Sequence, residues 1–152
     1  MAPNALVTGT SGFVAGHLAR RLLADGYDVT GVDIKPPRSD LGDALRQVTL
    51  DVRDREGVRT LLQETRPELV IHAAAQASVS VSMREPRLDV ETNVVATLEL
   101  AQEAAAAGTQ RFVFFSSGGA IYGEPAVLPA TEETEVEPKS IYGASKAAAE
   151  LY

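Results

Sequence analysis

Short apolar runs alternate along the chain with longer segments in which apolar residues recur every three or four positions. The first run, ALVT from Ala5, is followed by a glycine-rich turn and then by Val14, Leu18 and Leu22 at helical spacing. This pattern predicts a strand, a turn and a helix over Phe13 to Ala24.

The same alternation continues to the end of the chain. Apolar runs in YDVTGVD, RQVTLD, ELVIHAA and RFVFFSS predict four more strands, of which the first two end at Asp33 and Asp51. Helical spacing predicts a helix capped by Asp54, a long alanine-rich helix over Leu88–Ala107, and a last helix that begins near Ser140. Because helices separate the apolar strands, the predicted fold is α/β, a Rossmann-type doubly wound parallel sheet.

In that fold, the glycine-rich turn after the first strand has a mechanism. Gly9 and Gly12 are three residues apart, and Ala15 takes the place of a third glycine. Such a turn lets the backbone approach a pyrophosphate, whose charge is met by N–H groups at the start of the next helix, here Phe13 and Val14. The turn predicts a dinucleotide site, and the alternative is a helix-entry loop without a ligand.

An acidic residue at the end of the second strand indicates which dinucleotide binds. Asp33 can accept hydrogen bonds from the adenosine ribose hydroxyls and would repel a 2′-phosphate, so we favour NAD over NADP. Lys35 and Arg38 are nearby and would serve a phosphate instead. Asp51 is a candidate acceptor for the adenine amino group, with Val52 against the ring, although an ordinary strand-end aspartate fits the pattern equally well.

Composition excludes several classes of function. The chain has 14 Lys and Arg against 21 Asp and Glu, a net charge of -7, which disfavours nucleic acid or an anionic membrane surface as the main partner. It has no cysteine, which excludes a disulfide framework and a thiolate metal site. No apolar run reaches membrane-spanning length, so a cytoplasmic protein is expected. The length of 152 residues predicts one domain, and no metal is expected.

Two residues near the end of the chain indicate chemistry. Tyr142 and Lys146 are four apart in YGASKAAAEL and therefore share a face of the predicted last helix. A nearby ammonium stabilises the phenolate form of tyrosine, which would make Tyr142 a general base. The alternative is an ordinary pair on a helix surface, and the position after the fifth strand of a dinucleotide fold favours the catalytic interpretation.

Six motifs in order now carry a family resemblance. TGTSGFVAGHL, Asp33, HAAAQ, ETNVVATLEL, FSSGGAIYGE and YGASKAAAELY together resemble the extended short-chain dehydrogenase/reductase family, in particular its NAD-dependent nucleotide-sugar epimerases. The resemblance covers the whole chain. It implies NAD as cofactor and a nucleotide sugar, most simply a UDP-sugar, as substrate.

The resemblance also assigns roles to residues. It implies that Tyr142 is the catalytic acid/base and that Lys146 binds the nicotinamide ribose. It suggests that Asn93 faces the site and braces neighbouring backbone, the alternative being a solvent-facing amide, whereas His72 is expected to be a packed imidazole without chemistry. Besides the glycine turn, the residues expected at the cofactor are Asp33, Asp51, Val52, Ala73, Ala74, Ala75, Gln76, Asn93, Ser116, Tyr142 and Lys146.

A hydroxyl at the end of the fifth strand is expected to assist the tyrosine. Counting back from Tyr122 places Gly118 where the family usually has serine or threonine, and counting forward along the strand from Phe112 places Ser117 there. We choose Ser117 because a strand fixes its register more firmly than a loop does. The alternative is that Ser116 and Ser117 only satisfy backbone groups.

The reaction implied is epimerisation through a 4-keto-sugar, with hydride given to NAD and returned to the other face of the sugar. Related dehydratases place an acidic pair after the strand-end threonine, where this chain has Gly118 and Gly119, or Gly119 and Ala120, so dehydration is disfavoured. A nucleotide-sugar dehydrogenase or reductase with the same tyrosine and lysine, and a non-catalytic NAD-binding fragment, remain as alternatives.

The resemblance bears on domains and assembly as well. Family members continue past the tyrosine helix into a further strand and a lobe that binds the sugar nucleotide. Residues 1–152 are therefore expected to be an NAD-binding domain without the substrate lobe, inactive alone, with the fifth strand at a sheet edge. A homodimer through the two alanine-rich helices is implied, although alanines buried within the monomer would explain the same sequence.

Overall fold

The computed structural model describes residues 2–36, 45–125 and 127–152. The chain divides into two compact units, Met1–Ala74 with Glu99–Phe115, and Ala75–Leu98 with Ser116–Tyr152. The first unit contains the sheet and the glycine-rich turn, and the second contains Tyr142 and Lys146.

The first unit is built on five parallel strands. They are β1 (Asn4–Thr8), β2 (Asp28–Asp33), β3 (Arg46–Thr49), β4 (Leu69–His72) and β5 (Arg111–Phe114), in the spatial order β3-β2-β1-β4-β5. The predicted α/β fold is confirmed, and β5 is an edge strand as expected. Strand order reverses at β1, so the carboxyl ends of β1 and β4 form the topological switch point where such sheets bind ligands.

Successive residues of β1 and β4 enter two different cores of the first unit, one on each face of the sheet. Leu6 and Val70 pack with α2 (Arg55–Thr65) and with Leu100 and Ala104, whereas Val7 and Ile71 pack with α1 (Phe13–Ala24). Because both faces are covered there, β1 and β4 are largely apolar instead of alternating with polar residues. Asp54 caps α2 as predicted, since its side chain accepts a hydrogen bond from Gly57 N.

The second unit is helical. It contains α3 (Val79–Arg84), α4 (Pro86–Val90), a π-helical turn (Glu91–Val95), the start of α5 (Ala96–Ala106), α6 (Gly118–Ile121) and α7 (Ile141–Glu150). The prediction of one regular helix over Leu88–Ala107 missed the π turn, which residue periodicity does not reveal. It also missed α3 and α6, which are too short to show a period. Within the described residues, we find no helix with the length and hydropathy required to cross a membrane.

Three strands are shorter than predicted, and β4 covers only Leu69–His72 of the run ELVIHAA. β3 ends at Thr49 instead of Asp51, and β5 ends at Phe114, because pairing with the neighbouring strand stops at those residues. Ser117 therefore lies at the N-cap of α6 and not in a strand. Strand register therefore does not place Ser117, which lies three positions beyond the last paired residue of β5.

Candidate functional site

The glycine-rich turn joins β1 to α1 in a conformation that requires glycine. Gly9 has φ +81°, and a Cβ there would lie 2.9 Å from the backbone nitrogen of Ala74. Gly9 N donates to the carbonyl of Val32 at 2.7 Å. Gly12 then begins α1 without any side chain capping the helix, so the positive end of α1 has no carboxylate or hydroxyl of its own.

Thr8, which the sequence analysis did not single out, organises the switch point. Its Oγ1 accepts hydrogen bonds from the backbone nitrogens of Ala73 at 3.2 Å and Ala74 at 3.1 Å. Both lone pairs are then used, so the hydroxyl donates its proton to Nδ1 of His72, 2.7 Å away. His72 is fully buried, with its proton on Nε2, and stacks on Phe114. It is a packed imidazole, as expected.

Asp33 lies at the carboxyl end of β2, beside the glycine-rich turn. Its Oδ2 accepts from Ser11 N at 3.0 Å and its Oδ1 from Lys35 N at 2.9 Å. Each oxygen keeps a second lone pair, so the carboxylate has acceptor capacity left for ribose hydroxyls. Arg38, the other candidate for a phosphate, lies outside the described residues.

Asp51 already has a partner on its own loop. The hydrogen bond from the Arg53 side chain lowers the pKa of Asp51 below its ordinary value, and the shortest contact, Nη2 to Oδ2, is 2.6 Å. Val52 is 7% exposed, so little of its side chain is open to a ring. Their contact with an adenine stays a prediction.

The first unit fits a dinucleotide cofactor. Phe13 and Val14, at the start of α1, are 75% and 48% exposed, and the first turn carries no acidic residue. Backbone N–H groups at an open helix start, together with the helix dipole, suit a pyrophosphate. Asp33 at the end of β2 suits the hydroxyls of an unphosphorylated ribose.

In the second unit, Asn93 brackets the backbone of Gln76. Its Oδ1 accepts from Gln76 N and its Nδ2 donates to Gln76 O, both at 2.9 Å. Asn93 is 1% exposed, which is opposite to a solvent-facing amide. The backbone carbonyl of Asn93, which lies in the π turn, accepts a hydrogen bond from Thr97 Oγ1 at 2.8 Å. Both polar atoms of the Asn93 side chain therefore hold the loop that begins at Ala75, a partly buried residue, to the π turn.

Tyr142 and Lys146 lie one turn apart on α7, which begins where Ser140 Oγ accepts from Gly143 N at 3.0 Å. The backbone nitrogen of Tyr142 donates to the buried Ser82 Oγ at 3.1 Å, a contact that fixes the first turn of α7 against α3.

Burial controls the charge of Lys146. The side chain is 2% exposed, and its desolvation lowers the pKa of Lys146 to about 8, against the opposing effects of Glu150 and Asp89. An ammonium with a pKa in this range changes its charge close to neutral pH, which is typical of functional sites.

The two serines after β5 are the candidates for the hydroxyl that assists Tyr142. Ser116 Oγ is buried without a hydrogen-bond partner among the described atoms. Ser117 is the N-cap residue of α6, but its side chain makes no capping bond. A buried hydroxyl without a partner is unusual, and a bound molecule would satisfy it. The role of Ser117 stays a prediction.

A buried acid, Asp89, was missed by the sequence analysis. It is 0% exposed, and its Oδ2 accepts from Gln76 Nε2 at 2.9 Å and from Asn93 Nδ2 at 3.1 Å. Its Oδ1 has no hydrogen-bond partner among the described atoms. The spacing of four residues between Asp89 and Asn93 on a predicted helix is the sequence signal that would have paired them.

Comparisons with known proteins show which family the chain resembles. The model of a family described as the NAD dependent epimerase/dehydratase family matches residues 5–152. The UDP-glucose 4-epimerase of Mycolicibacterium smegmatis is 41% identical over 154 residues, an alignment that covers 97% of this chain and 49% of that protein.

Solved structures of similar sequence have the same fold. The Thermus thermophilus UDP-glucose 4-epimerase in complex with NAD is 42% identical with a TM-score of 0.91, over 98% of this chain and 49% of that one. The Thermotoga maritima UDP-glucose 4-epimerase with UDP-glucose is 37% identical with a TM-score of 0.92, over the same two shares. The chain thus spans about half the length of the relatives it matches.

Proposed function

The chain belongs to the NAD-dependent epimerase/dehydratase family, and from that premise we propose that the protein is an NAD-dependent UDP-sugar 4-epimerase similar to the UDP-glucose 4-epimerases. The observation that carries the proposal is the pair on α7, in which Tyr142 lies one turn from a buried Lys146. A lysine with a pKa of about 8 keeps its positive charge at neutral pH and stabilises a phenolate nearby.

The first unit supplies the residues for the cofactor. Gly9 and Gly12 bring the backbone close to the pyrophosphate, the open start of α1 faces its charge, and Asp33 accepts from the adenosine ribose. When bound, NAD supplies a site that accepts a hydride from the substrate and returns it. The residues of this unit bind and orient that group and exclude a 2′-phosphate.

The second unit supplies the proton transfer. The Tyr142 phenolate takes the proton of the sugar hydroxyl while the hydride leaves the same carbon, which becomes a carbonyl. After the keto-sugar turns over, the hydride returns to its opposite face and Tyr142 gives the proton back to the oxygen. Atoms and electrons balance, because one hydride and one proton leave and both return. Lys146 stabilises the phenolate in both directions.

The residues after β5 favour epimerisation over dehydration. Gly118 and Gly119, in α6, have no side chain that would transfer a proton to a leaving hydroxyl. A dehydrogenase or reductase with the same tyrosine and lysine would instead consume NAD or NADH with each turnover. The redox state of the cofactor after many turnovers therefore separates the two functions.

We predict that the full-length protein interconverts UDP-glucose and UDP-galactose without added reductant, and that Tyr142→Phe lowers kcat about a hundred- to ten-thousandfold while NAD affinity stays nearly unchanged. Product configuration is read by NMR, with GDP- and dTDP-sugars included in the panel. Tyr27→Phe, which removes a phenol from the apolar core beside α1, is the matched control and should keep wild-type kcat.

Three results would contradict this proposal. A loss smaller than tenfold in Tyr142→Phe would argue against its role. Stoichiometric conversion of NAD to NADH during turnover would show a dehydrogenase. No turnover of any sugar nucleotide, with NAD still bound, would favour the non-catalytic binding module. The cytoplasmic location and the homodimer expected from the sequence stay predictions, to be tested by cell fractionation and by light scattering.

A further inference from the structure

The hydrogen-bond network around Asp89 has only one consistent orientation. Asn93 Oδ1 must face Gln76 N, because that backbone nitrogen can only donate, so Asn93 Nδ2 points to Asp89. Gln76 Oε1 accepts from Ser78 N at 2.7 Å, so Gln76 Nε2 also points to Asp89. Two amide donors therefore converge on one oxygen, Asp89 Oδ2.

These two donors satisfy only one of the two oxygens of Asp89. Hydrogen bonds from two donors stabilise a carboxylate, and an unpaired charge would be costly in a site that is 0% exposed. Among the described atoms Oδ1 has no hydrogen-bond partner, so a positive charge nearby would stabilise this half of the carboxylate.

Lys146 is the buried cation that fits. Helix α4, which carries Asp89, packs against α7, and Glu150 and Asp89 both oppose the lowering of the Lys146 pKa by burial. Glu150 is exposed to solvent, where salt screens its charge. The other charged residues on the elements packed against α7 are also at least partly exposed: Arg84 on α3, Arg87 on α4 and Glu91 on the π turn.

We propose that Asp89 is a positioning residue of the candidate site, whose carboxylate holds the Gln76–Asn93 pair in place and is the buried counter-charge of the Lys146 ammonium. Its effect on catalysis rests on the proposed function, because it acts through Lys146 and Asn93 without touching the substrate. Its effect on Lys146 is electrostatic and is measurable without turnover.

The test is Asp89→Asn in the full-length protein, which keeps the size of the side chain and removes its charge. Glu91→Gln is the matched control, since it removes a partly exposed charge two residues away that pairs with the exposed Arg87. The midpoint of the Lys146 titration is followed by NMR with lysine labelled with carbon-13 at Cε, and Lys146→Met assigns the signal. Epimerisation of UDP-glucose is measured in the same samples.

We expect Asp89→Asn to lower the Lys146 midpoint by at least about half a pH unit and kcat about tenfold or more, with the high-pH limb of the rate profile shifted by the same amount as the midpoint. Glu91→Gln should change neither. An unchanged Lys146 midpoint in a folded Asp89→Asn protein would overturn the proposal, even if kcat fell, because the role would then be one of packing alone. A shifted midpoint in a protein that epimerises nothing would support Asp89 as the counter-charge and refute the proposed function instead.

Glu150→Gln tests the proposal without altering the buried network, should Asp89→Asn fail to fold. With the exposed carboxylate gone, the remaining influence on Lys146 comes from Asp89, which salt screens little. The midpoint of the Lys146 titration should then change little between about 0.05 and about 1 M salt. A midpoint that falls with salt toward the value for a lysine without a counter-charge would overturn the proposal.

Discussion

Lys146 combines two properties that rarely occur together, since it is almost fully buried and lies on a helix with Tyr142. Burial disfavours the ammonium and lowers its pKa to about 8, while Glu150 and Asp89 oppose that effect. At neutral pH the residue is still positively charged. The balance is narrow, so a small change of pH or of a neighbouring charge alters the charge next to the phenol.

The pKa of Lys146 should determine how the rate depends on pH. Raising the pH through about 8 should deprotonate Lys146, remove the stabilisation of the Tyr142 phenolate and lower kcat/KM. The sign follows from the charge, because the active form is the ammonium present below its pKa. The profile is measured with UDP-glucose, and Lys139→Ala, which removes an exposed lysine, serves as control. A rate that stayed level up to about pH 10, where an ordinary lysine titrates, would contradict the assignment.

At the residue scale, Asp33 is proposed to determine the choice of cofactor. Asp33→Asn keeps an acceptor for Ser11 N and Lys35 N but removes the charge that repels a 2′-phosphate. We expect the ratio of NADP to NAD affinity to rise about tenfold or more, measured by calorimetric titration. Asp28→Asn, at the exposed start of β2, should leave the ratio unchanged. Equal binding of NADP and NAD by the unmodified protein would contradict this role of Asp33 and would favour Lys35 and Arg38 as residues that bind the phosphate.

At the scale of elements, the placement of α7 depends on a close approach of backbone to backbone. A Cβ at Gly143 would overlap the carbonyl oxygen of Ala120 and lie 3.0 Å from Cβ of Pro138. Gly143 lets α7 approach α6, and it follows Tyr142 directly in the chain. The position of the Tyr142 phenol therefore depends on the same close approach. The helix start is further held by Ser140 and by Ser82.

Gly143→Ala is therefore predicted to displace the first turn of α7. We expect kcat to fall about ten- to a hundredfold, because small misplacements of catalytic groups are costly, and stability to fall by about 1–3 kcal/mol from overpacking. Thermal unfolding and turnover are measured together. Gly119→Ala is the matched stability control, since a Cβ there meets nothing within 4 Å. An equal effect of both substitutions on unfolding would exclude the close approach as the cause.

At the scale of the whole molecule, cofactor binding should increase the free energy of unfolding. A ligand that binds only the folded protein adds about 2.7 kcal/mol when its concentration is a hundred times Kd, so NAD should raise Tm by several degrees. Gly9→Ala should abolish the rise, because the left-handed φ and the contact with Ala74 N both oppose a side chain there. Scanning calorimetry with and without NAD checks this. A rise that Gly9→Ala left unchanged would place the cofactor elsewhere.

The sequence by itself determined the elements that depend on local pattern. Apolar runs predicted all five strands, the helical period predicted α1, α2 and α7, and the glycine spacing identified the turn at Gly9, because these signals are repeated over neighbouring residues. The spacing of Tyr142 and Lys146 was readable for the same reason. Even there, periodicity did not fix the ends, as the position of Ser117 beyond β5 shows.

Only the tertiary structure decided which polar groups meet. Thr8 and His72 are 64 residues apart in the chain, and Tyr142 meets Ser82 across 60. Asp89 meets Asn93 one helical turn away, but its contact with Gln76, 13 residues away, has no local pattern. A buried polar residue has the same local pattern whether its partner is near or far. Its role is fixed by the requirement that buried donors and acceptors be satisfied, which only the assembled fold can meet.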